Sequence, residues 1–236
     1  GKIELVNFMK NIIIIPARKG SKRIKNKKFI KIIKKTLIFW TINFAKKLNK
    51  KNFDSIVTSD CHKIKKICFK NKISFLKRSK IISGDNVSMH KVIFDTLKKL
   101  DKKYKYIILL QPTSPLRKLN LVRKAIKILN KNKSFDSFIH LAYEHTFTGK
   151  LKNNIWKPDY DINNRSQDLK DKLVPTGNLF IYRSSLYKKK IKLPKKTYGI
   201  TSNNEAWIDI DTEKDLSILN FYLKKSKNRR ILVYNT

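Results

Sequence analysis

The chain of 236 residues carries 56 basic and 17 acidic side chains, a formal net charge of +39, and 41% apolar residues. This length can bury one substantial core, and no apolar run approaches the ~18–20 residues of a membrane span. With no signal-peptide pattern and only two cysteines, Cys61 and Cys68, the composition predicts a cytoplasmic protein with free thiols and argues against a disulfide or metal site on them.

The high charge comes from lysine. Lysine supplies 47 of the basic residues, and these are spread along the whole chain and not gathered in one tail or face. Lys, Asn and Ile have A/T-rich codons, so we attribute the charge mainly to codon composition and expect no specific nucleic-acid partner. A non-enzymatic basic protein that binds nucleic acid is the distant alternative.

The first predicted element is a strand over residues 11–15, whose isoleucine run is typical of a strand buried on both faces. Pro16 ends its ladder because it has no N–H group. The loop that follows contains Gly20, Ser21 and several cations. A buried strand that opens into a basic Gly/Ser loop indicates a polyphosphate site, because backbone N–H groups and cations there neutralise phosphate oxygens. The alternative is a solvated basic turn.

Strand and helix signals alternate along the rest of the chain. Strands are predicted at residues 11–15, 55–58, 73–76, 106–110, 137–140, 178–182 and 206–210, and helices at 36–48, 62–71, 87–100, 119–130 and 213–223. This order predicts an α/β, Rossmann-like three-layer fold with a mostly parallel sheet. The expected helix N-caps are Asp60, then Asp85 or Asn86, and Asp211 or Thr212.

The alternation stops at residues 141–176, where polar and aromatic residues show little periodicity. We interpret this stretch as an excursion from the sheet, either a lid or a dimerisation arm.

A turn with two prolines follows the predicted strand 106–110. Gln111 offers an amide donor and an acceptor, which suit a base edge or a sugar hydroxyl, and Thr113 and Ser114 add hydroxyl groups. The alternative is a rigid turn before the next helix.

Asp209 and Asp211 alternate at the end of the last predicted strand, so they share one face. Two adjacent carboxylates repel each other unless a cation lies between them, which favours a hard divalent ion. The alternative is a strand end followed by a helix cap.

A polar cluster within the excursion contains Arg165, Gln167 and Asp168. Arginine is suited to bidentate capture of a carboxylate, and the other two side chains to sugar hydroxyls. A solvated loop is an equal alternative. The four histidines show no zinc-ligand spacing.

Four segments, in order and at matching spacing, resemble the acylneuraminate cytidylyltransferase family, the CMP-nonulosonic acid synthetases. They are PARxGSKxIxxK at 16–27, LQPTSPLR at 110–117, RxQDL at 165–169 and DIDTExDL at 209–216. The resemblance implies a single nucleotidyltransferase domain over residues 9–225, a basic tail at 226–236, and an excursion that forms a homodimer and completes the partner's sugar site. We expect no membrane partner, because no apolar run is long enough to span a bilayer.

The resemblance also implies the reaction and its residues. CMP passes from CTP to the anomeric hydroxyl of a nine-carbon keto sugar acid (sialic, legionaminic or pseudaminic acid), and pyrophosphate leaves. The implied nucleotide contacts are Arg18, Gly20, Ser21, Lys27, Arg78, Ser83, Gln111 and Ser114. The implied sugar contacts are Gln111, Thr113, Lys150, Arg165, Gln167 and Asp168. Asp209 and Asp211 are implied to hold Mg²⁺, and Arg18, Lys27 and Asp211 to be catalytic. The nearer alternative is another acid sugar such as Kdo.

Three positions depart from the family pattern. Lys28 stands where the family usually has Asn, Ser166 where a second Arg is common, and Thr176 where Asn precedes Gly177. We expect Lys28 to alter a nucleotide contact, the alternative being that Asn26 substitutes for the missing asparagine. The other two positions leave the choice of sugar open.

Overall fold

The computed structural model describes residues 9–20, 27–48, 51–144, 146–168, 172–201, 208–224 and 230. Its strands are β1 (Asn11–Pro16), β2 (Lys31–Ile32), β3 (Lys35–Thr36), β4 (Phe53–Ser59), β5 (Ser74–Lys77), β6 (Tyr106–Leu109), β7 (Ser137–Glu144), β8 (Gly149–Lys152), β9 (Ile155–Pro158), β10 (Lys172–Arg183) and β11 (Thr197–Thr201). The central sheet has the order β11-β7-β10-β6-β1-β4-β5, and β2–β3 and β8–β9 form separate two-stranded sheets.

The central sheet is mostly parallel, as predicted. β1 lies between β4 and β6 and runs parallel to both, and β5 continues the parallel set beyond β4. β10 is antiparallel to both of its neighbours, whereas the unpredicted β11 is parallel to β7. The carboxyl ends of β1, β4 and β6 therefore share one edge, which is where open α/β sheets bind ligands.

The helices are α1 (Leu37–Lys47), α2 (His62–Lys70), α3 (Lys80–Ser83), α4 (Met89–Lys98), α5 (Leu119–Lys131) and α6 (Glu213–Tyr222). All but the four-residue α3 coincide with predicted helices. Short 3₁₀ turns occur at Lys27–Phe29, Ser166–Asp168 and Ser184–Tyr187.

β1 contributes to hydrophobic cores on both faces of the sheet. Ile13 and Ile15 pack with α1, α2 and α5, whereas Ile12 and Ile14 pack with α4. Because successive strand side chains point to opposite faces, a run of isoleucines supplies both cores at once. The helices on the two faces give the predicted three layers.

The cap predicted for α2 is wrong, and that for α6 is confirmed. Cys61 precedes α2, because the Asp60 carboxylate instead accepts a hydrogen bond from the backbone of Lys19 at 2.5 Å. Thr212 caps α6 in a capping box with Asp215, in which each side chain accepts from the other residue's backbone N–H.

The cap predicted for α4 is also wrong. Ser88, not Asp85 or Asn86, precedes the helix, and its hydroxyl accepts from the N–H of Lys91 at 3.3 Å. The Asp85 carboxylate instead pairs with the guanidinium of Arg18.

The strand predicted at residues 206–210 is wrong in its described part. Residues 206–207 lie outside the described residues, and 208–210 belong to no strand. The N–H of Ile210 donates to the Thr113 carbonyl at 2.9 Å, which ties this segment to the turn after β6. Its isoleucines pack against α1 and α6 instead of completing a ladder.

The excursion is shorter than predicted. Residues 141–144 belong to β7 and 172–176 to β10, so the chain leaves the central sheet over 146–168 among the described residues. This segment, which we name the arm, carries the β8–β9 hairpin. Its exposed apolar side chains are Phe147, Leu151, Ile155, Trp156 and Ile162. The predicted basic tail, apart from residue 230, lies outside the described residues.

Both cysteines are free, as predicted, and both are buried. Burial raises the pKa of Cys68 to about 12, so this thiol stays protonated. No helix in the described part of the chain combines the length and apolar character needed to cross a membrane.

Candidate active site

A cavity of about 350 Å³ opens where β1 and β6 end. Its lining comes from three of the predicted motifs, because the two strands are parallel neighbours and their carboxyl ends lie side by side. The lining residues are Pro16, Ala17, Arg18, Gly20, Lys27, Lys28, Gln111, Pro112, Thr113 and Asp211.

The basic loop after β1, of which residues 17–20 are described, forms hydrogen bonds with the end of β4 and the residue that follows it. The N–H of Ala17 donates to the Thr58 carbonyl at 3.0 Å, and the Ser59 hydroxyl donates to the Ala17 carbonyl. The N–H of Lys19 donates to the Asp60 carboxylate at 2.5 Å. The neighbouring strand thus fixes the path of the loop along the cavity.

Lys28 also forms hydrogen bonds with the basic loop. Its ammonium donates to the carbonyl of Arg18 and to that of Lys19, the latter at 2.7 Å, and the residue is only 5% exposed. Burial lowers the pKa of Lys28, although the Asp60 carboxylate partly opposes this effect. Lys28 therefore contacts the protein backbone, which is a different role from the altered nucleotide contact expected from the sequence.

The residues predicted to bind the nucleotide divide into two groups. Arg18, Gly20, Lys27 and Gln111 line the cavity. Arg78 is buried outside the lining and donates to the Thr58 carbonyl at 3.1 Å; burial lowers its pKa to about 10.

Two of the predicted serine contacts, Ser83 and Ser114, do not line the cavity. The Ser83 hydroxyl donates to the Ser79 carbonyl at 2.7 Å and does not line the cavity. Ser21 lies outside the described residues.

The turn after β6 is anchored by Arg117. This side chain is buried and donates to the Asn178 carbonyl at 2.9 Å, to the Gln111 carbonyl, and to the Thr41 hydroxyl at 3.3 Å. Burial lowers its pKa to about 9, and the nearby Asp209 carboxylate opposes that shift. The buried Arg117 guanidinium therefore fixes the backbone of the turn whose residue Gln111 forms one wall of the cavity.

Ser114 connects this turn to the first of the predicted metal ligands. Its buried hydroxyl donates to Asp209 at 2.9 Å. Gly177, with φ +73°, lies against the pair, and a Cβ atom there would be 2.5 Å from the Ser114 oxygen and 3.3 Å from Asp209 Cγ. The close packing explains why glycine suits position 177.

Asp211, the second predicted metal ligand, lies at the cavity and accepts from the Lys27 ammonium at 2.6 Å. Its backbone N–H donates to the Asp215 carboxylate at 3.0 Å, so the α6 cap also fixes Asp211. No group of three or more His, Cys, Asp or Glu side chains within the described ranges could hold a metal ion. Of the two carboxylates predicted to hold the metal, Asp211 lines the cavity and Asp209 does not.

Most residues predicted to contact the sugar do not line this cavity. Gln111 and Thr113 line it, whereas four residues of the arm do not: Lys150, Arg165, Gln167 and Asp168. Arg165 donates to Asp168 at 2.8 Å on the exposed arm.

The Thr176 hydroxyl, at a position that departs from the family pattern, is buried and lies 2.7 Å from the Nδ1 atom of His140.

Residues 12–227 match the family model described as "Cytidylyltransferase". The chain belongs to the cytidylyltransferase family. Among curated proteins it is 30% identical over 216 residues to an N-acylneuraminate cytidylyltransferase of Streptococcus agalactiae, covering 88% of this chain and 52% of the relative. It is also 30% identical over 229 residues to a pseudaminic acid cytidylyltransferase of Campylobacter jejuni, covering 92% of this chain and 97% of that protein. The chain spans about half the length of the streptococcal relative.

The fold of this cytidylyltransferase matches solved structures. A CMP:2-keto-3-deoxy-manno-octonic acid synthetase complexed with CTP superposes with a TM-score of 0.66 at 14% identity, covering 92% of this chain and 99% of that one. The likeness confirms the Rossmann-like α/β architecture.

Sequence reasoning missed two residues that shape the site of this cytidylyltransferase. Arg117 was part of a recognised motif, but nothing in its local sequence reveals that it is buried. Asp215 stands three residues after Thr212, which is the capping-box spacing and could have been used to predict its role.

Proposed function

We propose that this cytidylyltransferase transfers CMP from CTP to the anomeric hydroxyl of a nonulosonic acid and releases pyrophosphate. The sugar oxygen bonds to the α-phosphorus, the bond from that phosphorus to the β-phosphate oxygen breaks, and the hydroxyl proton passes to water. The observation that carries the proposal is the meeting of the basic loop, the Gln111 turn and Asp211 around one cavity. The two relatives whose names specify nonulosonic acids support the substrate class.

The loop supplies the phosphate-binding groups in this proposal. Arg18 and Lys27 bring positive charge, and Gly20 leaves room for phosphate oxygens to approach the backbone. Lys27 neutralises charge that grows on the transferring phosphate and the leaving pyrophosphate. Phosphoryl transfer of this kind depends on positioning and charge neutralisation more than on a covalent nucleophile. Gln111 and Thr113 orient the base or sugar through their polar groups.

Asp209 and Asp211 fit a magnesium ion by the chemistry of their donors. Both offer hard carboxylate oxygens, and the Lys27 ammonium on Asp211 is already a cation at this position. When bound, Mg²⁺ supplies Lewis-acid polarisation of the α-phosphate. Ser114 and the α6 cap hold the two carboxylates in place.

The arm is proposed to complete the sugar site in a homodimer. Its polar residues Arg165, Gln167 and Asp168, together with Lys150, do not line the cavity of their own protomer, and its exposed apolar side chains suit a protein contact. We propose that a second copy covers this surface. We place the enzyme in the cytoplasm, a compartment that suits its two free cysteines.

The test is pyrophosphate release from CTP with Mg²⁺ and a panel of N-acetylneuraminic, legionaminic and pseudaminic acids and Kdo. We expect release with at least one nonulosonic acid and its loss in EDTA. Release with Kdo alone would replace the proposed substrate class, and no release with any acid would overturn the proposal. A larger thermal shift with DNA than with CTP, together with no preference for CTP over ATP, would favour the nucleic-acid alternative.

Two variants test the residue roles. Lys27→Ala and Asp211→Asn are each expected to lower kcat by about 100-fold or more while the protein stays folded. The matched control is Lys31→Ala, which removes an exposed lysine four residues from Lys27 and is expected to keep kcat within about twofold. Near-parent rates in either test variant would remove that residue from its role.

A further inference from the structure

Three consecutive carbonyls of the basic loop accept hydrogen bonds from side chains. The Ala17 carbonyl accepts from the Ser59 hydroxyl, and those of Arg18 and Lys19 both accept from the Lys28 ammonium. Within the described part of the chain, no acceptor is found for the N–H groups of Arg18 and Gly20, and both residues line the cavity. The three loop carbonyls are therefore already hydrogen-bonded, whereas the backbone N–H groups of Arg18 and Gly20 can donate to an anion in the cavity.

Burying the Lys28 ammonium costs free energy unless its N–H groups donate hydrogen bonds to protein acceptors. A buried lysine loses its hydration, and the nearby cations Arg18 and Arg78 add repulsion, opposed by Asp60. The two carbonyl bonds are charge-assisted and therefore stronger than neutral ones. These two hydrogen bonds connect the 3₁₀ turn Lys27–Phe29 with the loop that contains Arg18.

We propose that Lys28 is a positioning residue, which fixes the basic loop in the shape that binds the triphosphate of CTP. It acts through the Arg18 and Lys19 carbonyls and not as one more phosphate ligand. The proposal rests on the proposed function for its ligand, but the ordering of the loop by Lys28 can be measured without any ligand.

The chain offers a control that separates charge from the carbonyl bonds. The Lys19 side chain is exposed, belongs to the same loop and does not line the cavity. Lys19→Met removes the same unit of charge as Lys28→Met but leaves both carbonyl bonds in place. Lys28→Gln is a milder variant that keeps a side-chain donor without the charge.

The first measurement is hydrogen exchange of the Lys19 amide without nucleotide, followed by mass spectrometry or NMR. We expect about tenfold faster exchange at residue 19 in Lys28→Met, an intermediate rate in Lys28→Gln and, once the intrinsic rate of methionine is allowed for, parent protection in Lys19→Met. Parent exchange rates in folded Lys28→Gln and Lys28→Met would overturn the proposal. If Lys28→Met does not fold, Lys28→Gln alone decides, because it too must exchange faster than the parent.

The second measurement is CTP affinity by calorimetry, with steady-state kinetics. We expect Lys28→Met to weaken CTP binding and raise the KM for CTP about tenfold, with kcat within about threefold, because the loop binds the ground-state triphosphate. Lys19→Met is expected to change affinity less than about twofold. Equal effects of the two variants would show a general charge effect and overturn the positioning role. A parent protein that turns over no CTP would refute the proposed function alone, since the exchange measurement still tests the loop.

Discussion

Replacing Arg117 with methionine tests whether a buried cation supports the Gln111 wall of the cavity. The change removes the donors to the carbonyls of Gln111 and Asn178 and leaves Asp209 without its nearby positive charge. Each buried acceptor that loses its donor costs about 1–3 kcal/mol, and removing one member of a buried charged contact typically costs about 3–5 kcal/mol. Since methionine also avoids the burial of a guanidinium, we expect a loss of about 3–4 kcal/mol from the free energy of unfolding. This is a large part of the ~5–15 kcal/mol of a typical protein.

The assay is urea unfolding followed by circular dichroism, in which the midpoint should fall while the slope stays constant. Arg117→Lys should recover only part of the loss, because one ammonium does not reproduce the fork of the guanidinium. The control is Arg123→Met, an exposed arginine on α5, with an expected change below about 0.5 kcal/mol. A loss below about 1 kcal/mol for Arg117→Met would refute the reasoning, since the carbonyls would then have found other donors.

Three further predictions concern the cavity, the α6 cap and the arm. Gly177→Ala should destabilise the protein by about 1–3 kcal/mol and lower kcat, because residue 177 has a positive φ and its new Cβ would collide with the Ser114 hydroxyl. Thermal unfolding and pyrophosphate release measure the two effects, and an unchanged Tm would contradict the prediction. Asp215→Ala should remove about 1 kcal/mol at pH 7 through the lost capping box. Burial raises the pKa of Asp215, but the hydrogen bonds it accepts from Thr212 and Asp211 outweigh burial and leave the pKa below the ordinary value of 3.8. The stabilising contribution is therefore present above that pH and shrinks as the pH falls further. A pH series of urea unfolding checks the sign, and a difference between parent and variant that grows in acid would contradict it. Trp156→Lys should convert the proposed homodimer to monomer in light scattering, whereas an unchanged mass would show that the exposed arm surface is not the interface.

The sequence predicted the parallel half of the sheet well because its signals are local. The isoleucines of β1, the break at Pro16 and the amphipathic helices each depend on a short stretch of chain. The α/β class already implies that the carboxyl ends of parallel strands share one edge, and the motifs at Arg18 and Gln111 meet there because β1 and β6 are neighbours in the sheet.

The antiparallel half was harder to predict. The insertion of β10 between β6 and β7, and the addition of β11, depend on pairings between distant segments. The apolar alternation at residues 208–210 was mistaken for a strand, because packing against helices produces the same local pattern.

The particular role of Lys28 could not be predicted either. In a chain with 47 lysines, nothing local distinguishes the one whose ammonium is buried against backbone carbonyls. The roles of Ser21 and of the arm residues remain predictions.

The ion pair between Lys27 and Asp211 links the two ligands of the proposed reaction. A metal ion bound by the Asp211 oxygen that now accepts from Lys27 would displace that ammonium, which would then become available to an anion in the same cavity. An anion that draws Lys27 away likewise frees the carboxylate for the metal. In the proposed reaction, metal and nucleotide affinities would therefore be coupled, and by thermodynamic reciprocity each ligand would strengthen the other by the same factor. The resting protein, with this pair closed, should bind either ligand alone more weakly than it binds the two together.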